Sequence, residues 1–209
     1  MKHKAFVWGL SALILTAAIL LCSCQDHPTL KPVNTTTEES ENSFGARCTF
    51  TLKEFTEASA DAFADLGISL KDDGWQTINV GLIDDNGVKY SSYYQHAGEI
   101  TFTAAVEYDS QKVMNIGCGC ETKKLEAPAF RKKLLKSAAV TAQTIGGYAA
   151  DSTMFFEAVF SWLSECDNDA LYYGNSLLIK SVDQKTTVLM TAPCSEEVRE
   201  KNRYRKISD

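Results

Sequence analysis

The sequence predicts an α+β protein in which an antiparallel β-sheet is packed by about three α-helices. Two observations predict this class. Some stretches repeat apolar residues at helical spacing, whereas others alternate apolar and polar residues with a period of two. The alternating stretches also follow one another in runs, giving the order α-ββββ-αα-ββ, and strands grouped in this way favour antiparallel pairing.

The first helix is predicted for residues 52–66. Thr51 can cap the amide of Glu54, Glu54 can return the bond, and Phe50 can pack against Phe55, so a capping box and a hydrophobic staple coincide. Gly67 is placed to end the helix in a left-handed conformation.

Four strands are predicted next, because the period changes to two from Trp75 onward. The first runs through Ile78, Val80 and Leu82 to an Asn-Gly turn at 84–87, and the chain returns through 88–95. Two further strands, 100–108 and 113–118, are joined across 109–111. An antiparallel four-stranded meander is the simplest arrangement.

Two helices and two strands complete the predicted fold. Pro128 lies near the start of the second helix, whose apolar stripe stops at Gly146-Gly147. Asp151 or Ser152 can cap a third, strongly apolar helix that runs to about residue 163 and is predicted to be largely buried. Strands near 171–180 and 185–192 follow, joined by a turn through Asp183.

The N-terminal segment has the form of a targeting signal. Residues 1–4 are basic, residues 5–21 are apolar or small, and Leu21-Cys22-Ser23-Cys24 follows. This arrangement resembles the lipobox of bacterial lipoproteins, with Leu21 and Ser23 at the expected positions. The resemblance implies that residues 1–23 are removed and that Cys24 becomes the lipidated first residue. An uncleaved membrane anchor and an ordinary secretory peptide cut near Ser23 are the alternatives.

The lipoprotein resemblance implies an extracytoplasmic protein held on a membrane by fatty acyl chains such as palmitate. Gln25, not Asp, follows the cysteine, which favours the outer membrane if the host has two membranes. Residues 24–43 are poor in apolar side chains and are predicted to form a disordered tether. A single domain is predicted for 44–194, and 195–209 is predicted to be a charged, frayed tail.

The charge of the chain excludes one class of partner. Removal of residues 1–23 takes away only Lys2 and Lys4, so 19 basic and 27 acidic residues remain. A nucleic-acid-binding surface needs a basic excess, and this chain has the reverse.

Five cysteines remain for the domain, namely Cys48, Cys118, Cys120, Cys166 and Cys194. An oxidising compartment allows two disulfides and one free thiol, and an anaerobic host would leave all five reduced. We favour pairing of Cys166 with Cys194, and of Cys48 with Cys118 or Cys120. Redox catalysis at Cys118-Gly119-Cys120 is disfavoured, because the pair ends a strand and lacks the usual two-residue spacing.

No pattern identifies a reaction, a metal site or a cofactor. Only His27 and His96 remain as histidines, and hydrolase and phosphate-binding motifs are not present in the sequence. Trp75, Tyr90 and Tyr94 are candidate ligand-contact aromatics, although packing within the sheet is the ordinary role of such residues. The sequence therefore favours a binding module for an envelope protein or small ligand. An enzyme with an unrecognised site and a purely structural envelope component are the alternatives.

Overall fold

In the part of the chain that the structure describes, one large, mostly antiparallel sheet is covered on its core face by two α-helices. The computed structural model describes residues 36–146, 169–173 and 175–206. Within these residues the helices are α1 (Leu52–Ala64), α2 (Pro128–Gly146) and α3 (Glu196–Asn202). The strands are β1 (Thr37–Glu39), β2 (Ala46–Cys48), β3 (Gln76–Ile83), β4 (Lys89–Ala97), β5 (Ile100–Glu107), β6 (Val113–Glu121), β7 (Asp169–Tyr173), β8 (Ser176–Val182), β9 (Thr186–Pro193) and β10 (Arg205–Lys206).

The α+β class is confirmed by the strand order. Eight strands form one sheet in the order β10-β7-β8-β9-β6-β5-β4-β3, and β1 pairs with β2 in a separate small sheet. The consecutive strands β3 to β6 form the predicted antiparallel meander. Only β10 pairs in parallel among the described strands of the large sheet, beside β7.

Helix α1 begins where the sequence predicts. Thr51 and Glu54 form the capping box, and the rings of Phe50 and Phe55 stack with their centroids 6.4 Å apart. The helix ends at Ala64, two residues before the predicted end, and Gly67 has a φ of 63°. These features depend on neighbours in sequence, which explains why a local pattern predicts them.

The core lies between the two long helices and one face of the sheet. Phe63 of α1 meets Phe102 of β5 edge-on, with ring centroids 5.1 Å apart. From α2, Leu134 and Ile145 are fully buried in the same cluster, and Ile116 reaches it from β6. The predicted apolar stripe of the second helix is therefore the surface that packs on the sheet.

The segment predicted to be a tether is partly ordered, which corrects its boundary. Thr37–Glu39 forms β1, and Asn42 is only 1% exposed, with its side-chain nitrogen donating to the Ala46 carbonyl. Composition predicts disorder from the lack of apolar side chains. Here hydrogen bonds, which composition does not register, hold residues 36–43 to the domain.

Two predictions near the C-terminus are also corrected. The single strand predicted near 171–180 is two antiparallel strands, β7 and β8, and the Gly-Asn pair at 174–175 of the sequence is typical of a hairpin turn. The tail predicted to fray contains α3, whose first turn is capped because Ser195 Oγ accepts from the Val198 amide at 3.3 Å. The third predicted helix, at about 152–163, lies outside the described residues.

Candidate functional site

Among the described residues, most of the exposed large hydrophobic side chains lie on the edge strand β3. Ile78 is 50% exposed, and Val80 and Ile83 are each 63% exposed. A period of two is typical of a strand with one covered face, yet nearly every position of β3 is exposed. Sequence reasoning missed these residues as a site because a strand's position in a sheet is set by distant pairings.

The pairing of β3 with β4 is irregular. The register shifts between Thr77 and Asn79 and again between Asn79 and Leu82, and Gly81 has a φ of 72°. Each shift places an extra residue on β3, which bends the strand locally. The outer side of β3 has no strand partner within the described part of the chain.

Acidic pairs lie at both ends of β3. Asp72 and Asp73 precede Trp75, and Asp84 and Asp85 follow Ile83 directly. Asp84 is held in place, since its carboxylate accepts from the amides of Ser43, Asn86 and Val88 at 2.7–3.0 Å. The charge-free strand therefore runs between two pairs of carboxylates.

Tyr90 and Tyr94 lie on the sheet face opposite the core. Their register partners on β5 are Glu107 and Thr103, whereas Tyr93 pairs with the buried Ala104 on the core face. Tyr94 Oη donates to Gln76 Oε1 at 2.5 Å and thereby links β4 to the start of β3. Both tyrosines are half-buried.

Trp75 lies on the other side of the sheet. Its Nε1 donates to Thr56 Oγ1 of α1 at 3.0 Å, and its ring packs against the core. It lines a cleft of about 450 Å³ together with Tyr93 and Lys53. The structure thus separates Trp75 from Tyr90 and Tyr94, and the three aromatics do not form one ligand site.

The clefts among the described residues are shallow and rich in charged groups. One of about 590 Å³ lies between β2 and the 108–110 turn, and one of about 550 Å³ lies beside α3. In the former, Arg47 forms ion pairs with Glu38 and Glu107. Small-molecule sites are usually deeper and mostly apolar, so these clefts do not favour a small ligand.

The four described cysteines are free thiols and are all buried. The expected pairing of Cys48 with Cys118 or Cys120 is therefore not formed, and Cys166, the expected partner of Cys194, lies outside the described residues. Burial raises the pKa of Cys120 to about 11 and that of Cys194 to about 11, and it raises the pKa of Cys118 further. A catalytic thiol needs the opposite shift.

Groups with lowered pKa values have structural roles. Glu54 returns the capping-box bond to Thr51, which lowers its pKa. Asp183 accepts from the amides of Thr186 and Lys185 in the predicted turn between β8 and β9, and these bonds lower its pKa. Neither carboxylate lies in one of the described clefts.

The described residues contain neither a metal-binding cluster nor a membrane-spanning helix. Within the described ranges, no group of three or more His, Cys, Asp or Glu residues is arranged to hold a metal ion. None of the helices in those ranges has the length and apolar character needed to cross a bilayer. Cys24 lies outside them.

We found no family model, curated protein or solved structure that matches this chain. The candidate site therefore depends on the geometry of the chain itself.

Proposed function

We propose that this protein is a lipid-anchored lipoprotein of the bacterial cell envelope that works as a binding module. In this proposal Cys24 carries the acyl chains, and β3 is the surface that contacts a partner protein outside the cytoplasm. The resemblance of residues 1–24 to a lipobox supports the anchor. If the host has two membranes, the outer membrane is the proposed location.

The single observation that supports a binding role is the exposed apolar edge of the sheet. Ile78, Val80 and Ile83 all lie within one strand of eight residues, whereas single apolar residues scattered over a surface would need no explanation. Native proteins usually protect an unpaired edge with charged residues, proline or bulges, and β3 has bulges on both sides of Asn79 but neither a charged residue nor a proline. An apolar edge without charges is consistent with an edge that is covered by a partner in the cell.

The competing functions have less support. Catalysis would need titratable groups with perturbed pKa values gathered in a cleft, and no described cleft combines them. A purely structural role does not explain why apolar side chains are exposed on an edge strand. A small ligand between sheet and helices would need an enclosed apolar pocket.

The anchor is tested by growing cells with radiolabelled palmitate and comparing wild type with Cys24→Ala. We expect the label to be lost in Cys24→Ala, because the Cys24 sulfur is the proposed acceptor of the lipid. Cys22→Ala is the matched control and should keep the label. Label retained by Cys24→Ala would contradict the assignment.

The contact surface is tested by placing a photo-crosslinking amino acid at Val80 in living cells. We expect an adduct with a defined envelope protein, identified by mass spectrometry. The same amino acid at Lys132, an exposed position on α2, is the control and should give no such adduct. Equal crosslinking at the two positions, or none at either, would refute β3 as the contact surface.

A further inference from the structure

We infer that β3 binds its partner by accepting an extended segment of polypeptide as an additional strand. The segment has apolar residues at alternate positions and Lys or Arg at the end that lies beside Asp84 and Asp85. This inference rests on the proposed function and specifies the chemistry of its partner.

The backbone and composition of β3 suit strand addition. The strand is eight residues long, has no charged residue and no proline, and lies at the end of the large sheet. Its outward N–H and C=O groups can therefore pair with an incoming strand, as in other cases of peptide recognition at a sheet edge. Apolar side chains at alternate positions of that strand would then cover Ile78 and Val80.

The irregular pairing of β3 favours a flexible segment over the edge of a second folded sheet. Register shifts on both sides of Asn79 bend the strand, and bends of this kind hinder edge-to-edge pairing of two rigid sheets. A second copy of this chain would present the same bends in a rigid edge. An extended segment has no fixed shape and can follow them.

The charges at the ends of β3 determine which flanks the segment should have. Lys53 lies 3.9 Å from both Asp72 and Glu57, and Lys71 adjoins Asp72 in the chain, so the acidic charge at the start of β3 is partly compensated. At the other end, Lys89 pairs in register with Ile83, and Asp85 is exposed and forms none of the ion pairs found among the described residues.

Basic residues at one end of the segment would complement this excess, and they would also be attracted by the whole chain, whose net charge is −6. The same carboxylates disfavour an anionic bilayer as the cover of β3.

The inference is tested with the full chain in nanodiscs and fluorescent peptides of about ten residues, a length that matches one strand. The first peptide alternates Val and Ser and ends in two lysines. The second has the same composition but groups its valines together, and the third ends in two glutamates. We expect the first peptide to bind most tightly. Its affinity should exceed that of the third peptide by up to about fivefold, because an opposite-charge pair across two strands changes an affinity by about that factor.

Variants in and beside β3 test whether the peptides bind at this strand. Val80→Lys is expected to weaken binding of the first peptide about tenfold, the factor that burial of one Val side chain implies, while Val80→Ile should retain it. Asp85→Lys should reverse the preference between the lysine and glutamate peptides. Thermal unfolding of each variant checks that these exposed positions leave the fold intact.

The outcomes separate the inference from the proposed function. Peptide binding that ignores alternation, or that survives Val80→Lys, would overturn strand addition. Dimers that sedimentation detects for the wild type but not for Val80→Lys would assign β3 to a second copy of the chain. Binding to empty anionic nanodiscs that is tighter than peptide binding and is lost in Val80→Lys would assign β3 to lipid. If crosslinking at Val80 still finds an envelope protein in those cases, only the partner chemistry is wrong.

Discussion

At the scale of single residues, the thiols of Cys118 and Cys120 lie on the core face of β6. Gly119 lies between them on the opposite face, beside Val188 of β9. The spacing that resembles a dithiol motif is therefore the two-residue period of a strand, with two small side chains pointing into the core. Their raised pKa values follow from burial.

Because the pKa values of these thiols are raised, we predict that the protein loses stability in alkali. The pKa values of these thiols in the folded protein lie above the ordinary 9.0. Their contribution to the free energy of unfolding is therefore complete below pH 9.0 and is lost as the pH rises through the folded values. Between about pH 8 and about pH 10, we expect each buried thiol to lower the free energy of unfolding by about 1 kcal/mol. Urea unfolding at both pH values measures the change.

The control for this prediction is Cys118→Ala, which removes one titrating group. Its stability should fall less between the two pH values than that of the wild type, whatever the cost of the cavity at either pH. Identical pH dependence in both proteins would contradict the assignment of the alkaline loss to this thiol.

At the scale of elements, β6 needs its two glycines. A Cβ at Gly119 would lie 2.9 Å from the backbone oxygen of Thr187, and a Cβ at Gly117 would lie 2.6 Å from Thr103 Oγ1. A side chain can move away, whereas a paired backbone cannot. The two glycines therefore allow β5 and β9 to place their side chains close to β6 on the outer face.

We predict that Gly119→Ala lowers the free energy of unfolding more than Gly117→Ala does. Overpacking of this kind costs about 1–3 kcal/mol, and only Gly119→Ala strains backbone. Combining Gly117→Ala with Thr103→Ala should recover part of the loss, because it removes the oxygen that clashes. Urea unfolding measures the free energy of unfolding of the single and double variants. Equal losses in the two glycine variants, with no recovery in the double variant, would refute the explanation.

The elements also show which features a sequence can predict. The capping box of α1, the Asn-Gly turn before β4 and the Asp183 turn depend on residues a few positions apart, and each is predicted. The boundary between β7 and β8 is not predicted, although the sequence has a Gly-Asn pair at 174–175 that is typical of a hairpin turn. The exposure of β3 had no local signal, because it depends on which strand becomes the edge.

At the scale of the whole molecule, the start of the described chain is attached to distant parts of the domain. Thr36 Oγ1 donates to the Ile145 carbonyl at 2.6 Å, and Ser40 Oγ donates to Glu107. Arg47 of β2 also forms an ion pair with Glu107, which is 7% exposed. A tether leading to Cys24 would therefore be shorter than composition predicts.

We predict that a chain beginning at residue 44 is less stable than one beginning at residue 36. The shorter chain loses β1 and the bonds from Thr36, Ser40 and Asn42, which together contribute about 2 kcal/mol at typical values. Urea unfolding of the two chains measures the difference. Equal stability would restore the predicted boundary at residue 44.

The sequence by itself determined the α+β class, the four-stranded meander, α1 with its capping box and the position of α2, because local patterns of apolar spacing and capping specify them. Tertiary structure alone decided that β3 is the edge, that Trp75 and Tyr94 lie on opposite faces, and that residues 36–43 join the fold. Those features depend on pairings between residues far apart in the chain, and no local pattern records which pairings form.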